Sequence, residues 1–265
     1  MCYKNKYIKY KNKYTKLKLM RMKIRNMKRT SNYDNMDKEI LGEFKKQLLT
    51  MKKCYKKLNK MDDYDRLLKS VYPFQASDYF LLKLPKSVKI YDDASFRKSV
   101  NLPKLDAHKD NYVPCDASLK NIVLYFWSKN FITLGWDEPY KLNTGFISFE
   151  FKTSDDKNTS NELLKLFGSD NIIKLKLPSF YGLEKEAPEY YKKQNKQIDD
   201  IMTENPTKIL MITYTSDISI SYAGNIRINF NKMQLKWLHK KLDIKEPDVT
   251  KALPGYISCY NIIKK

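Results

Sequence analysis

The chain has 265 residues, 42% of them hydrophobic and among them 20 Tyr and 12 Phe, which excludes a wholly disordered polymer and supplies material for a substantial core. Its 51 basic residues outnumber 30 acidic ones for a net charge of +21, unevenly placed: residues 1–30 hold nine Lys, three Arg and no acid, the first 70 residues carry +15, and the other 195 only +6. Cysteines at 2, 54, 115 and 259 have no paired spacing, which argues against a disulfide framework or a Cys-x-x-Cys site and for a reducing compartment, and no apolar run nears the roughly 20 residues of a membrane span or follows the basic start as a signal peptide would.

The first predicted element is a basic arm over 1–33. Tyr3, Tyr7, Tyr10, Tyr14 and Leu17, with Ile24 continuing the register, recur at spacings of four and three, a heptad-like stripe on one helical face surrounded by lysines. Lys9, Lys13 and Lys16 repel one another along that helix, so it needs an anion or a partner surface. A helical segment follows over 34–72. Asp34 or Asn35 caps a helix from Asp37 to Leu58 with Ile40, Phe44, Leu48, Met51, Tyr55 and Leu58 on one side, and a short helix covers Asp65 to Val71.

Residues 73–265 read as one α+β domain. Pro85, Pro103 and Pro114 break its start into extended pieces, Tyr79 to Leu84 and Val88 to Tyr91. Asp116 or Ser118 caps a helix through Lys129, Phe131 to Trp136 reads as a strand, and Gly145 to Phe151 alternates with Ile147, Phe149 and Phe151 on its buried face. A polar loop over 152–160 leads to a short helix starting at Ser160 and leaving at Gly168. Strands at 173–177, 209–214, 218–222 and 226–230, helices at 188–202 and 233–242, and a last strand from Tyr256 to Ile263 complete the pattern. The expected fold is a mixed or antiparallel sheet of about five to seven strands with helices on one face, preceded by the helical basic region.

Residues Lys6-Tyr7-Ile8-Lys9-Tyr10-Lys11-Asn12-Lys13-Tyr14-Thr15-Lys16-Leu17-Lys18 resemble the Lys-Tyr segment that begins many proteins of amoeba-infecting giant viruses related to mimivirus. The frequent Lys, Asn, Ile and Tyr elsewhere are similar to the AT-rich coding style of that group. The resemblance implies a viral origin and packaging in the virion or residence in the virus factory of the host cytoplasm. It implies no activity and no fold for residues 73–265. The Gly-rich stretch that often follows the segment is missing.

Catalytic signatures are sparse. Seven scattered glycines build no phosphate-cradling loop, and His108 and His239 stand alone, outside any metalloprotease or nucleophile-elbow pattern. Cys115 and Cys259 read as buried structural thiols. One constellation carries chemistry: Asp137, about a dozen residues, then Glu150-Phe151-Lys152 on a hydrophobic strand is similar to the motif of the PD-(D/E)xK nucleases. That similarity implies two carboxylates holding Mg²⁺ and a Lys assisting the attacking water. A solvated strand face explains the same residues. Trp127, Trp136 and Trp237 fit core positions better than base-stacking ones.

The sequence thus reads as a non-enzymatic protein. Lys4, Lys6, Lys9, Lys11, Lys13, Lys16, Lys18, Arg21, Lys23 and Arg25 pair with the phosphates of nucleic acid or with an acidic viral protein, and Tyr7, Tyr10 and Tyr14 pack on the partner. No membrane is expected as partner and no cofactor is required. A Mg²⁺-dependent nuclease using Asp137, Glu150 and Lys152 is the alternative, and a protein–protein interaction module of the viral particle is another.

Overall fold

Phe44, Leu48, Met51 and Tyr55 recur every three or four residues, and the helix this period predicts is present as α1, Lys38–Lys57, with all four side chains buried. A computed structural model describes residues 38–70, 73, 75–85, 97–98, 100–105, 112–131, 133–137, 144–150, 156–178, 187–215 and 225–264. The chain divides into two compact units, Met1–Ala117 with Thr250–Lys265, and Ser118–Val249. Residue 72, the boundary expected from the sequence, falls inside the span of the first unit. The basic arm, the caps proposed at residues 34 and 35, and the strands expected at 88–91 and 218–222 lie outside the described residues.

In the first unit α1 is followed by α2 (Met61–Leu68), the antiparallel strands β1 (Tyr79–Lys83) and β2 (Tyr112–Asp116), and the C-terminal helix (Tyr256–Lys264), numbered α7 below. Tyr64 and Leu67 of α2, Tyr79 of β1, and Tyr256 and Cys259 of the terminal helix join the buried face of α1 in one core. Arg97 is buried against the end of α2, where its guanidinium donates to the carbonyls of Leu68 and Ser70 (3.1 Å for the latter). That satisfies acceptors a helix C-terminus leaves open.

Two expectations are corrected in this unit. Tyr256–Lys264 is a helix, not a strand: Tyr and Ile favour strands locally, but Tyr256 and Cys259, three apart, meet the α1 face and impose the helical period. Pro114 does not break the chain before a helix but sits within β2 opposite Leu81 of β1. Among the described residues β2 pairs with β1 alone, and on its outer edge a missing N–H costs no ladder bond.

The second unit holds α3 (Lys120–Ser128), β3 (Thr133–Asp137), β4 (Gly145–Glu150), α4 (Asp156–Phe167), β5 (Ile172–Pro178), α5 (Ala187–Glu204), β6 (Ile209–Thr215), β7 (Asn225–Phe230) and α6 (Lys232–Lys241). Its strands form one five-stranded sheet in the order β3-β4-β7-β6-β5. Only β5 and β6 are parallel, as the intervening α5 crossover requires. The remaining neighbours are antiparallel. Lys174 and Lys176 are exposed on the edge strand β5, where charge discourages edge pairing.

The α+β class stands, but one sheet with helices on one face does not. The strands are split between two sheets, and the larger is covered on both faces. Leu177, Leu210 and Ile212 pack with Ile198 and Met202 of α5. On the other face Phe149 of β4 meets Phe126 of α3 at 4.8 Å, and Phe126 also contacts Phe167 of α4. The cause is legible in β6, where Ile209, Leu210, Met211 and Ile212 are all buried: consecutive apolar residues point to opposite faces, so both need cover.

The helix ends follow one device. Asn59, Asn130 and Asp243 adopt φ of 54°, 61° and 52° just beyond α1, α3 and α6. At each, the following N–H reaches back five residues, Lys60 to Tyr55 (2.9 Å), Phe131 to Phe126 (3.0 Å) and Ile244 to His239 (3.0 Å). These are Schellman caps with Asn or Asp in the left-handed position usually given to Gly. Gly168, φ 83°, leaves α4 as expected, although that helix begins at Asp156 rather than Ser160. The N-cap of α3 is Leu119, which makes no side-chain cap bond, rather than Asp116 or Ser118; a 3₁₀ turn over Ala117–Leu119 leads into the helix.

Candidate functional site

The ladder register fixes where the proposed metal ligands stand. Asp137 ends β3 opposite Phe146, near the start of β4, whereas Glu150 ends β4 opposite Asn225 of β7. Glu150 is therefore four residues along β4 from the position Asp137 faces, about 14 Å at ~3.4 Å per residue with the strand spacing added. Two carboxylates sharing one Mg²⁺ at ~2.1 Å from each oxygen need their strands to present them side by side. The register does not bring Asp137 and Glu150 together, and Lys152 lies outside the described residues. Among the described residues no group of three or more His, Cys, Asp or Glu side chains could hold a metal. The arm residues Lys4 to Arg25 and Tyr7, Tyr10 and Tyr14 also lie outside the described residues.

The same sheet places a different set of polar side chains together. In β7, Ile226, Ile228 and Phe230 are fully buried on the face toward α3, so the alternating Arg227 and Asn229 belong to the face toward α5. Arg227 stands opposite Ser148 of β4, and Asn229 opposite Phe146. On the β6 side their neighbours are Ile212 and Leu210, which pack against α5. The Arg227 guanidinium leans diagonally along the ladder to lie 3.7 Å from the centre of the Phe146 ring. This is cation–π geometry, which holds a cation without using its N–H donors.

The hydrogen bonding of this group is incomplete. Asn229 is fully buried, yet neither its amide oxygen nor its amide nitrogen has a partner, and the buried Nε of Arg227 has none. An unpaired buried polar atom costs about 1–3 kcal/mol, so the sheet centre carries two donors without acceptors and one acceptor without a donor. Ser148, Phe146 and Arg227 are half-buried and border Asn229, whose side chain is closed off from solvent.

Sequence reading missed these residues. In Asn225-Ile226-Arg227-Ile228-Asn229-Phe230 polar groups alternate with apolar ones, the pattern of a half-solvated strand, and only the topology shows that this strand is central. Gln75 in the first unit is likewise buried with both amide atoms unpaired. Tyr55 Oη approaches Tyr79 Oη at 2.6 Å and the Pro254 carbonyl at 3.1 Å. Burial raises both hydroxyls well above the usual tyrosine range, and it pushes Tyr64, with Asp65 nearby, up to about 12. Cys54, Cys115 and Cys259 are buried and in no disulfide, and burial raises the thiols of Cys54 and Cys259, which opposes thiolate formation.

His239 is buried on α6 with Nε2 at 3.4 Å from the Ser118 carbonyl and Nδ1 unpaired; burial lowers its pKa, partly offset by that carbonyl and Glu246. Trp127 donates from Nε1 to Thr133 Oγ1 at 2.6 Å, and Trp237 stacks against Phe167 at 6.3 Å between centroids, so both are engaged within the second unit. No helix among the described residues is long and apolar enough to cross a membrane. No family model, curated protein or solved structure matches the chain.

Proposed function

We propose that the chain is a non-enzymatic viral protein that binds nucleic acid through its basic arm, is carried in the virion or virus factory, and uses its two compact units as the body on which the arm is mounted. The observation that carries this reading is the charge: twelve basic residues and no acid in residues 1–30, against near balance beyond residue 70. Such a segment gains affinity for a polyanion by releasing condensed counterions, whatever its conformation when free. The Lys-Tyr resemblance supports the viral setting. The spacing of Asp137 and Glu150 along the ladder favours the binding reading over the nuclease alternative.

The test is the salt dependence of binding to duplex DNA and to RNA. About six to ten phosphate contacts should weaken binding about 10³ to 10⁵-fold between about 50 and 200 mM salt. Replacing Lys9, Lys11, Lys13, Lys16 and Lys18 by Gln should flatten the logarithmic slope by about 4 to 5. An unchanged slope would sink the proposal. The Tyr stripe favours a second reading, docking of the arm on an acidic viral protein; tight, salt-insensitive binding to such a protein with no nucleic-acid affinity would select it.

A further inference from the structure

We propose that the outward face of α1 is a second contact surface for duplex DNA, its two rows of lysines reaching the phosphates on either side of the major groove. This assignment rests on nucleic acid being the partner, as in the reading above, and does not require the basic arm. α1 carries seven Lys against two Glu in 20 residues, and the lysines are ordered on its surface. At ~100° per residue, Lys45, Lys52 and Lys56 fall within about 20° of one line along the helix. Lys46, Lys53 and Lys57 form a second row about 100° round from the first. All six are exposed, on the side away from the buried Phe44, Leu48, Met51 and Tyr55.

A solvated helix face has no need of this arrangement. Lys52 and Lys56, and Lys53 and Lys57, stand at i, i+4 and repel, where a Glu in the earlier position would attract and serve solubility equally well. Among the described residues no carboxylate pairs with Lys45, Lys46, Lys52, Lys53 or Lys56. Lys57 donates to the Ile262 carbonyl at 2.9 Å. A polyanion would turn the mutual repulsion of these lysines into attraction, and the helix already holds them in rows.

The dimensions of the face select the polyanion. Each row runs about 16 Å at ~1.5 Å per residue, and extended lysines 100° apart carry their ammonium groups about 13 Å from one another across the helix. An α-helix ~10–12 Å across fits the ~12 Å major groove of B-form DNA, so that one row faces each flanking strand. Between the rows lie Gly42, with open space around it, and Leu49, which is 59% exposed. An apolar side chain there suits a groove floor that displays thymine methyl groups. The major groove of A-form RNA is too deep and narrow to admit the same helix.

The experiment is fluorescence anisotropy with a short labelled duplex DNA, and with the duplex RNA of the same sequence, across about 50–200 mM salt. The full chain is compared with a variant carrying Gln at Lys45, Lys46, Lys52, Lys53 and Lys56, with the five-fold arm variant described above, and with the two sets combined. Each lysine on a phosphate adds about 0.9 to the logarithmic salt slope, so the α1 changes should flatten the DNA slope by about 4, with the arm intact or neutralised. On duplex RNA they should flatten it by no more than about half as much. Removing exposed charges that repel one another should leave the urea midpoint unchanged or raised, so the comparison is between folded proteins. Leu49→Glu sets a carboxylate between the rows and should weaken DNA binding about 10-fold or more. A DNA slope that the α1 changes leave unaltered would overturn the proposal even where the arm changes flatten it. The converse result, a flattened slope with the α1 changes and none with the arm changes, would support this surface and overturn the reading of the arm. Equal flattening on DNA and RNA, or full DNA affinity in Leu49→Glu, would overturn the groove assignment.

Discussion

The paired hydroxyls of Tyr55 and Tyr79 allow the first-unit core to be tested by two deletions of one oxygen each. The Pro254 carbonyl can only accept, so the single proton of Tyr55 goes to it at 3.1 Å, and the 2.6 Å contact must then carry the proton of Tyr79 to Tyr55. Tyr79→Phe removes one donor and leaves the Tyr55 to Pro254 bond intact, at about 0.5–1.5 kcal/mol. Tyr55→Phe removes the middle of the chain, strands the buried Tyr79 hydroxyl, and leaves Pro254 only the weak Cys259 thiol at 3.7 Å; about 2–4 kcal/mol is expected. Against a total stability of about 5–15 kcal/mol the difference is measurable by urea unfolding followed through far-ultraviolet circular dichroism, with hydrogen exchange in α1 and α7 locating it. A Tyr79→Phe cost equal to or above that of Tyr55→Phe would refute the assigned direction of the chain.

Gly255→Ala should be worse than either. A Cβ there would overlap the Ser77 carbonyl and stand 2.7 Å from the Ala76 oxygen, both backbone, so the segment that accepts from Tyr256 and Ile257 must move; a loss of about 3–5 kcal/mol of stability, read by the same urea assay, is expected, and one under about 1 would contradict the close approach. His239 governs an acid limb of the second unit. Its folded pKa lies below the ordinary value, so the unfolded chain binds the proton more readily. Its contribution is therefore fully present above about pH 6.5 and is lost as pH falls through and below that value. Tryptophan fluorescence during urea unfolding at a series of pH values should show this loss in the wild type and a shallower one in His239→Gln; identical slopes would remove His239 as the cause.

The elements legible in the sequence are those whose local pattern and tertiary role agree. The α1 stripe of Phe44, Leu48, Met51 and Tyr55, the alternation of Ile147 and Phe149 in β4, and the apolar run of β6 each survive because burial acts on the same residues that set the period. Tyr256–Lys264 misled because a short run of Tyr and Ile satisfies a strand as well as a helix, and the choice is made by α1, some 200 residues earlier in the chain. The Schellman caps at Asn59, Asn130 and Asp243 were missed for a chemical reason: a chain with only seven Gly uses Asn and Asp where φ must be positive.

The candidate site was illegible in a more instructive way. Asp137 and Glu150-x-Lys152 looked convergent because they end consecutive strands, but residues on an antiparallel pair meet only if the intervening turn sets the register to suit. Here Thr133 faces Phe149 and Asp137 faces Phe146, which puts the two acids at opposite ends of the ladder. The register is a property of the folded hairpin that spacing alone does not determine. Arg227 and Asn229 posed the reverse problem: nothing in their own segment separates a solvated edge from a buried centre. Their strand is central because β7 runs between β4 and β6, a neighbour relation joining residues about 80 apart in sequence on one side. Once it is central, a polar side chain on its covered face has neither bulk water nor a ladder to satisfy it, so the Asn229 amide stays unpaired where the same asparagine on the edge strands β3 or β5 would meet water.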